Sequence, residues 1–106
     1  MNITLSPVRL DTPLTLAIKG DAVVLNGETF DFGPLANGAE LPASAIPTDW
    51  IDAPVSRVNG VIHMQITLPH GANAPQETLF PELILNPPDG PVVLPIYAIE
   101  ETTNED

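Results

Sequence analysis

The sequence predicts an all-β fold: a small antiparallel β-sandwich or barrel-like domain of about six to eight short strands with long proline-rich loops. Three observations carry this. Prolines at positions 7, 13, 34, 42, 47, 54, 69, 75, 81, 87, 88, 91 and 95 leave only residues 14–33 and 55–68 long enough for a helix. A proline inside a helix costs about 3 kcal/mol, whereas strand ends, edges and turns tolerate it. Both proline-free stretches alternate apolar and polar residues with a period of two, and each contains an Asn-Gly pair.

Taken in order, Ile3 and Leu5 alternate with Thr4 and Ser6 before Pro7, which predicts a short first strand. Leu14, Leu16 and Ile18 alternate with Thr15, Ala17 and Lys19, and Gly20-Asp21 breaks the run. Residues 22–25 and 28–32 flank Asn26-Gly27. That pair takes positive φ readily at both positions and so predicts a type I′ hairpin. Val55 to Val58 and Val61 to Leu68 repeat the pattern around Asn59-Gly60. In the longer strand Ile62, Met64, Ile66 and Leu68 share one face, and Val61, His63, Gln65 and Thr67 share the mostly polar other. Leu83 to Leu85 and Val92 to Leu94 are short apolar runs on either side of a rigid turn, 86–91.

Two stretches read as irregular. In Gly33 to Pro54, a short helical turn is expected over Pro47 to Ile51 with Thr48 as its cap. His70 to Pro81 reads as a long loop, and long loops in compact domains are commonly functional. Residues 1–99 are expected to form a single β domain and residues 100–106 an acidic tail, too polar to bury enough surface to order itself.

At 106 residues the chain has room for one domain and one modest core. Hydrophobic residues are 43% and charged residues 16%, which is not the composition of a disordered chain. Fourteen acids against three bases give −11, and ten against three still give −7 over residues 1–99. This balance argues against a nucleic-acid groove and against docking on an anionic membrane. There is no long apolar run for a membrane helix and no leader pattern after Met1, and with no cysteine there is no disulfide framework or thiolate site.

Catalytic signatures are missing. His63 and His70 are the only histidines, and no HxH, HExxH or DxH spacing surrounds them, so both are expected to be plain surface or loop residues. Asp49 and Asp52 beside Trp50 could make a sugar subsite. The alternative is that the single Trp anchors the long loop to the core and the acids wet its rim. Arg9, Lys19 and Arg57 are each expected to pair with an acid, Arg57 through a solvated cross-strand pair. Gly20, Gly27 and Gly60 sit in turns, and Ser6, Ser44 and Ser56 lie in no nucleophile elbow. The expectation is no enzyme, no cofactor, no metal and no small-molecule substrate.

Several phrases in order carry a resemblance. They are Leu5-Ser6-Pro7-Val8-Arg9, Leu25 to Phe32, Leu68 to Pro75, Thr78-Leu79-Phe80-Pro81 and Asp89 to Pro95. Over residues 3 to 95 this order resembles small, largely uncharacterised proteins of tailed phages and prophages encoded in the tail region, near fibre or baseplate genes. The resemblance implies a structural protein of a tail tip, baseplate or fibre, located in the virion tail after synthesis in the host cytoplasm. It would bind other tail proteins in a symmetric assembly, and neither nucleic acid nor membrane. Pro69, His70, Phe80, Pro81 and Trp50 are the expected partner-binding residues, since a proline-stiffened loop loses little entropy on docking. Two further readings are an assembly chaperone absent from the finished particle and an acidic inhibitor of a host nucleic-acid-binding protein.

Overall fold

A computed structural model of the chain describes residues 1–98; the expected acidic tail lies outside the described residues. The fold is all-β. Strands β1 (Asn2–Arg9), β2 (Leu16–Lys19), β3 (Ala22–Leu25), β4 (Glu28–Asp31), β5 (Glu40–Leu41), β6 (Val55–Val58), β7 (Val61–His70), β8 (Ile84–Leu85) and β9 (Gly90–Val92) form two sheets, with one short helix, α1 (Gln76–Leu79), between β7 and β8. One sheet has the order β5-β6-β7-β1-β8 and the other β4-β3-β2-β9. The strands beyond the expected number are edge strands of two or three residues, too short for periodicity to reveal.

The turns follow the expected chemistry. Asn26 and Gly27 have φ of 51° and 85°, and Asn59 and Gly60 have 50° and 80°. Positive φ at both central positions is the type I′ requirement. Gly20 alone takes positive φ in the β2–β3 turn, at 61°, as the first central position of a type II′ turn demands.

The inward-facing residues of both sheets make one core. Ile3 and Leu5 of β1, Val55 of β6, and Ile62, Met64, Ile66 and Leu68 of β7 meet Leu16, Ile18, Val23, Leu25 and Phe30 from the opposing sheet. Ile51 and Ile46 from the irregular segment close one side. Full burial of a side chain of this size contributes about 1.5–3 kcal/mol, so this cluster decides the register of every strand.

Several local expectations are corrected. The first strand runs through Pro7 to Arg9, and β7 runs through Pro69 to His70, so His70 is the strand's last residue and not part of a following loop. The reason lies in backbone direction. Successive strand residues aim their N–H and C=O at opposite edges. Asn86 N–H donates to Met1 C=O at 2.9 Å, Leu10 N–H to His70 C=O at 3.2 Å and Thr67 N–H to Trp50 C=O at 2.8 Å. Counting from these bonds, Pro7 faces the β8 edge and Pro69 the β6 edge. Strand pairing on those edges has already ended, at Ile3 and at His63, so neither missing N–H breaks a ladder.

β1 pairs in parallel with β7 from Asn2 opposite His63 to Arg9 opposite His70. It is the one parallel pair among the described strands, whose other pairings are antiparallel; no tight turn joins β1 to β7, so none imposes a direction. The turn expected over Pro47 to Ile51 forms at Asp49–Trp50, with Thr48 Oγ1 accepting the Trp50 N–H at 3.2 Å as its cap, but it does not grow into a helix, while a 3-10 turn forms earlier, at Ala43–Ala45. Prolines 42 and 47 bracket that turn and stop it at both ends. The 70–81 segment is likewise not one loop, since α1 occupies residues 76–79. The proline-rich residues after Leu85 carry the chain from β8 in one sheet to β9 in the other, and Gly90 and Pro91, expected in the turn, already belong to β9.

Candidate functional site

The largest surface feature follows from β8 being only two residues long. β8 covers the β1 edge at Asn2 and Ile3 and then stops. By the alternation established above, Leu5, Pro7 and Arg9 point their backbone groups to the same edge, beyond the reach of β8. Beside this edge lies an open groove of about 820 Å³, between the end of α1, β8 and the segment after β9. Its apolar wall includes Leu5, Phe80, Leu83, Ile84, Val93 and Ile96. Phe80 is 73% exposed and Val93 96% exposed. Large apolar residues grouped in this way on one surface mark an interaction site more often than singly scattered ones. The charged residues lining the groove are Glu77 and Glu82, with no base among them.

Three hydrogen bonds hold the chain that forms one groove wall. Thr78, fully buried on α1, donates its hydroxyl to the Ile96 carbonyl at 2.6 Å. Gly71 N–H donates to the Tyr97 carbonyl at 2.8 Å, and the Tyr97 hydroxyl donates to the Leu10 carbonyl. The chain after β9 is thereby tied to α1 and to the adjoining ends of β1 and β7.

The far end of the sandwich is closed by Arg57. It shares the inward parity of Val55 on β6 and reaches across to the other sheet. Nε donates to the Leu35 carbonyl at 2.6 Å, Nη2 to the Phe32 carbonyl at 3.1 Å and Nη1 to the Gly60 carbonyl at 3.3 Å. Nη2 also meets Asp21 at 3.1 Å, the one ion pair among the described residues. The side chain is 13% exposed, so the solvated cross-strand pair expected of it is corrected to a clip between sheets. The V-S-R-V alternation carried that signal, because Arg57 falls on the same side as buried Val55.

The five residues expected to bind a partner are not brought together. Phe80 lines the large groove, with half-buried Pro81 next to it in the chain. Pro69 is buried in β7 and lines a separate cleft of about 330 Å³ with Leu14, Pro91 and Tyr97. His70 is half-buried, with Nδ1 3.0 Å from the Gly71 carbonyl oxygen. Trp50 is half-buried against the core and lines a third recess with Asp11, Glu28 and Asp49. Asp52 lines a different recess, shared with Asp49 but not Trp50, so the three parts of a sugar subsite do not share one cleft. His63 and His70 lie seven positions apart along one strand, about 23 Å at the usual rise. Among the described residues no group of three or more His, Cys, Asp or Glu side chains could hold a metal ion.

Comparison with protein-family models, with curated proteins and with solved structures finds no match.

Proposed function

We propose that this chain is a structural interaction protein of a bacteriophage tail, a tip, baseplate or fibre-associated component, and that it works by docking to other tail proteins. The observation that carries the docking part is the exposed apolar groove beside an edge of β1 that no strand among the described residues covers. The phage-tail part is supported by the order of sequence phrases over residues 3 to 95. In a symmetric tail the same groove is used once per copy, so one weak contact repeated around the axis gives a stable ring. The acidic surface favours a basic patch on the neighbour, which raises the association rate and fixes register.

The experiment is quantitative mass spectrometry of purified particles from the phage or prophage that encodes the chain. A virion component is present at a fixed stoichiometry relative to the major tail protein. Abundance in the infected lysate with absence from the particle would replace this reading with that of an assembly chaperone.

A further inference from the structure

We propose that the groove beside β1 receives an extended, basic segment of a partner protein, which adds to the sheet as a strand next to Leu5–Arg9. The proposal rests on the docking reading and names the partner's chemistry. Three features argue for it. The first is backbone direction: Leu5 and Arg9 aim both N–H and C=O at the edge that no strand among the described residues covers, and Pro7 aims its carbonyl there. A strand entering where β8 leaves off meets these groups at the spacing of a β ladder, the recognised mode of strand addition.

The second is the apolar wall. Leu5 is the one β1 residue in the groove lining, and Phe80, Leu83, Val93 and Ile96 line the groove with it, so an apolar wall stands at the Leu5 end of the edge. Every second side chain of that strand would enter the mouth of the sandwich, so the segment alternates apolar with polar residues. The third is charge. Glu77 and Glu82 are the charged residues that line the groove, and Arg9, exposed at the far end of the β1 edge, lies outside that lining. A second copy of this chain is a poor occupant, because each copy carries −11 and like charge opposes self-association. A segment bearing lysine or arginine meets those carboxylates instead. Pro7 withholds one donor at the centre of the edge, and a proline at that place discourages indiscriminate pairing between edges.

The test uses the full chain and a nine-residue peptide alternating valine and threonine with a lysine at each end. Binding is read by fluorescence anisotropy of the labelled peptide, and amide exchange by NMR. The expected result is saturable binding with slowed exchange at the Leu5 and Arg9 amides. The amides of Thr4, Ser6 and Val8, already directed at β7, stay unchanged. Replacing the terminal lysines by glutamate weakens binding at least tenfold, and so does V93K, which sets a like charge against the peptide and, at a 96% exposed position, leaves the core untouched. Unchanged Leu5 and Arg9 exchange at saturating peptide would overturn the proposal. So would equal affinity for the glutamate peptide, or slowed exchange at those amides on dimerisation without peptide. Absence from virions with peptide binding intact would remove the phage-tail reading and leave this one standing.

Discussion

Arg57 and Asp21 lie 3.1 Å apart, yet the ion pair is the lesser part of what Arg57 does. The same guanidinium donates to the carbonyls of Phe32 and Leu35, which follow β4 of the other sheet, and to that of Gly60 in its own β6–β7 turn. Asp21 is 53% exposed, so its share of the pair is screened by water. Arg57→Ala is expected to cost about 2–3 kcal/mol, because partly buried carbonyls lose a charged donor. Asp21→Asn is expected to cost less than about 1 kcal/mol. Arg57→Lys should resemble the alanine variant, since an ammonium cannot reproduce the planar fork. Urea unfolding followed by the single Trp50 checks all three; equal losses for Asp21→Asn and Arg57→Ala would reduce the clip to a salt bridge.

The two Asn-Gly turns make a separate prediction. A Cβ at Gly27 or Gly60 meets nothing within 4 Å, so any cost comes from the backbone. At φ of 85° and 80°, Gly27→Ala and Gly60→Ala are each expected to lose about 1 kcal/mol, and Gly27→Val more. Gly27→Asn should recover part of the loss, because Asn tolerates the left-handed region. Thermal melts of the four variants decide it, and an unchanged midpoint for Gly27→Val would contradict the hairpin.

How much was legible in the sequence depended on how local the signal was. The hairpins 22–25/28–32 and 55–58/61–68 were readable, to within a residue or two of β4 and β7, because period-two alternation and turn chemistry sit within a few residues of each other. The extension of β1 past Pro7 was not, since it depends on which edge Pro7 faces, and that is settled by a partner strand more than fifty residues away. Arg57 was readable in parity but misassigned, because an arginine is expected to reach water and this one reaches across to backbone carbonyls. Phe80 and Pro81 were singled out as part of a long loop. The groove itself was not legible: it exists because β8, antiparallel to β1, begins only at Ile84 opposite Ile3, and two-residue strands leave no periodic trace.

Thr78 gives a third prediction. Its hydroxyl is the buried link between α1 and the chain that forms one groove wall. Thr78→Val keeps the shape and leaves the Ile96 carbonyl without its donor, for an expected loss of about 1–2 kcal/mol. The loss should be local: faster amide exchange in residues 93–98 with little change in β3 or β7. Uniform acceleration across the sandwich would show that the link holds the whole fold and not the groove.

The core supplies a fourth. Ile66 is fully buried and sits opposite Leu5 in the parallel pair. Ile66→Ala is expected to lose about 2–5 kcal/mol through lost burial and a residual cavity. Val58→Ala, on an exposed position of β6, should change stability by less than about 0.5 kcal/mol. Denaturant midpoints of the pair check the assignment of faces, and similar values for both would reverse the parity read from β6 and β7.

The most direct measurement of whether this domain works by being gripped at its groove is site-specific photocrosslinking in assembled particles. A benzophenone amino acid replaces Phe80 in one variant and Val58, on the opposite hairpin, in another. The account predicts a crosslink from position 80 to one defined tail protein and far less from position 58. Equal crosslinking at both positions, or crosslinks from position 80 only to other copies of this chain, would contradict it.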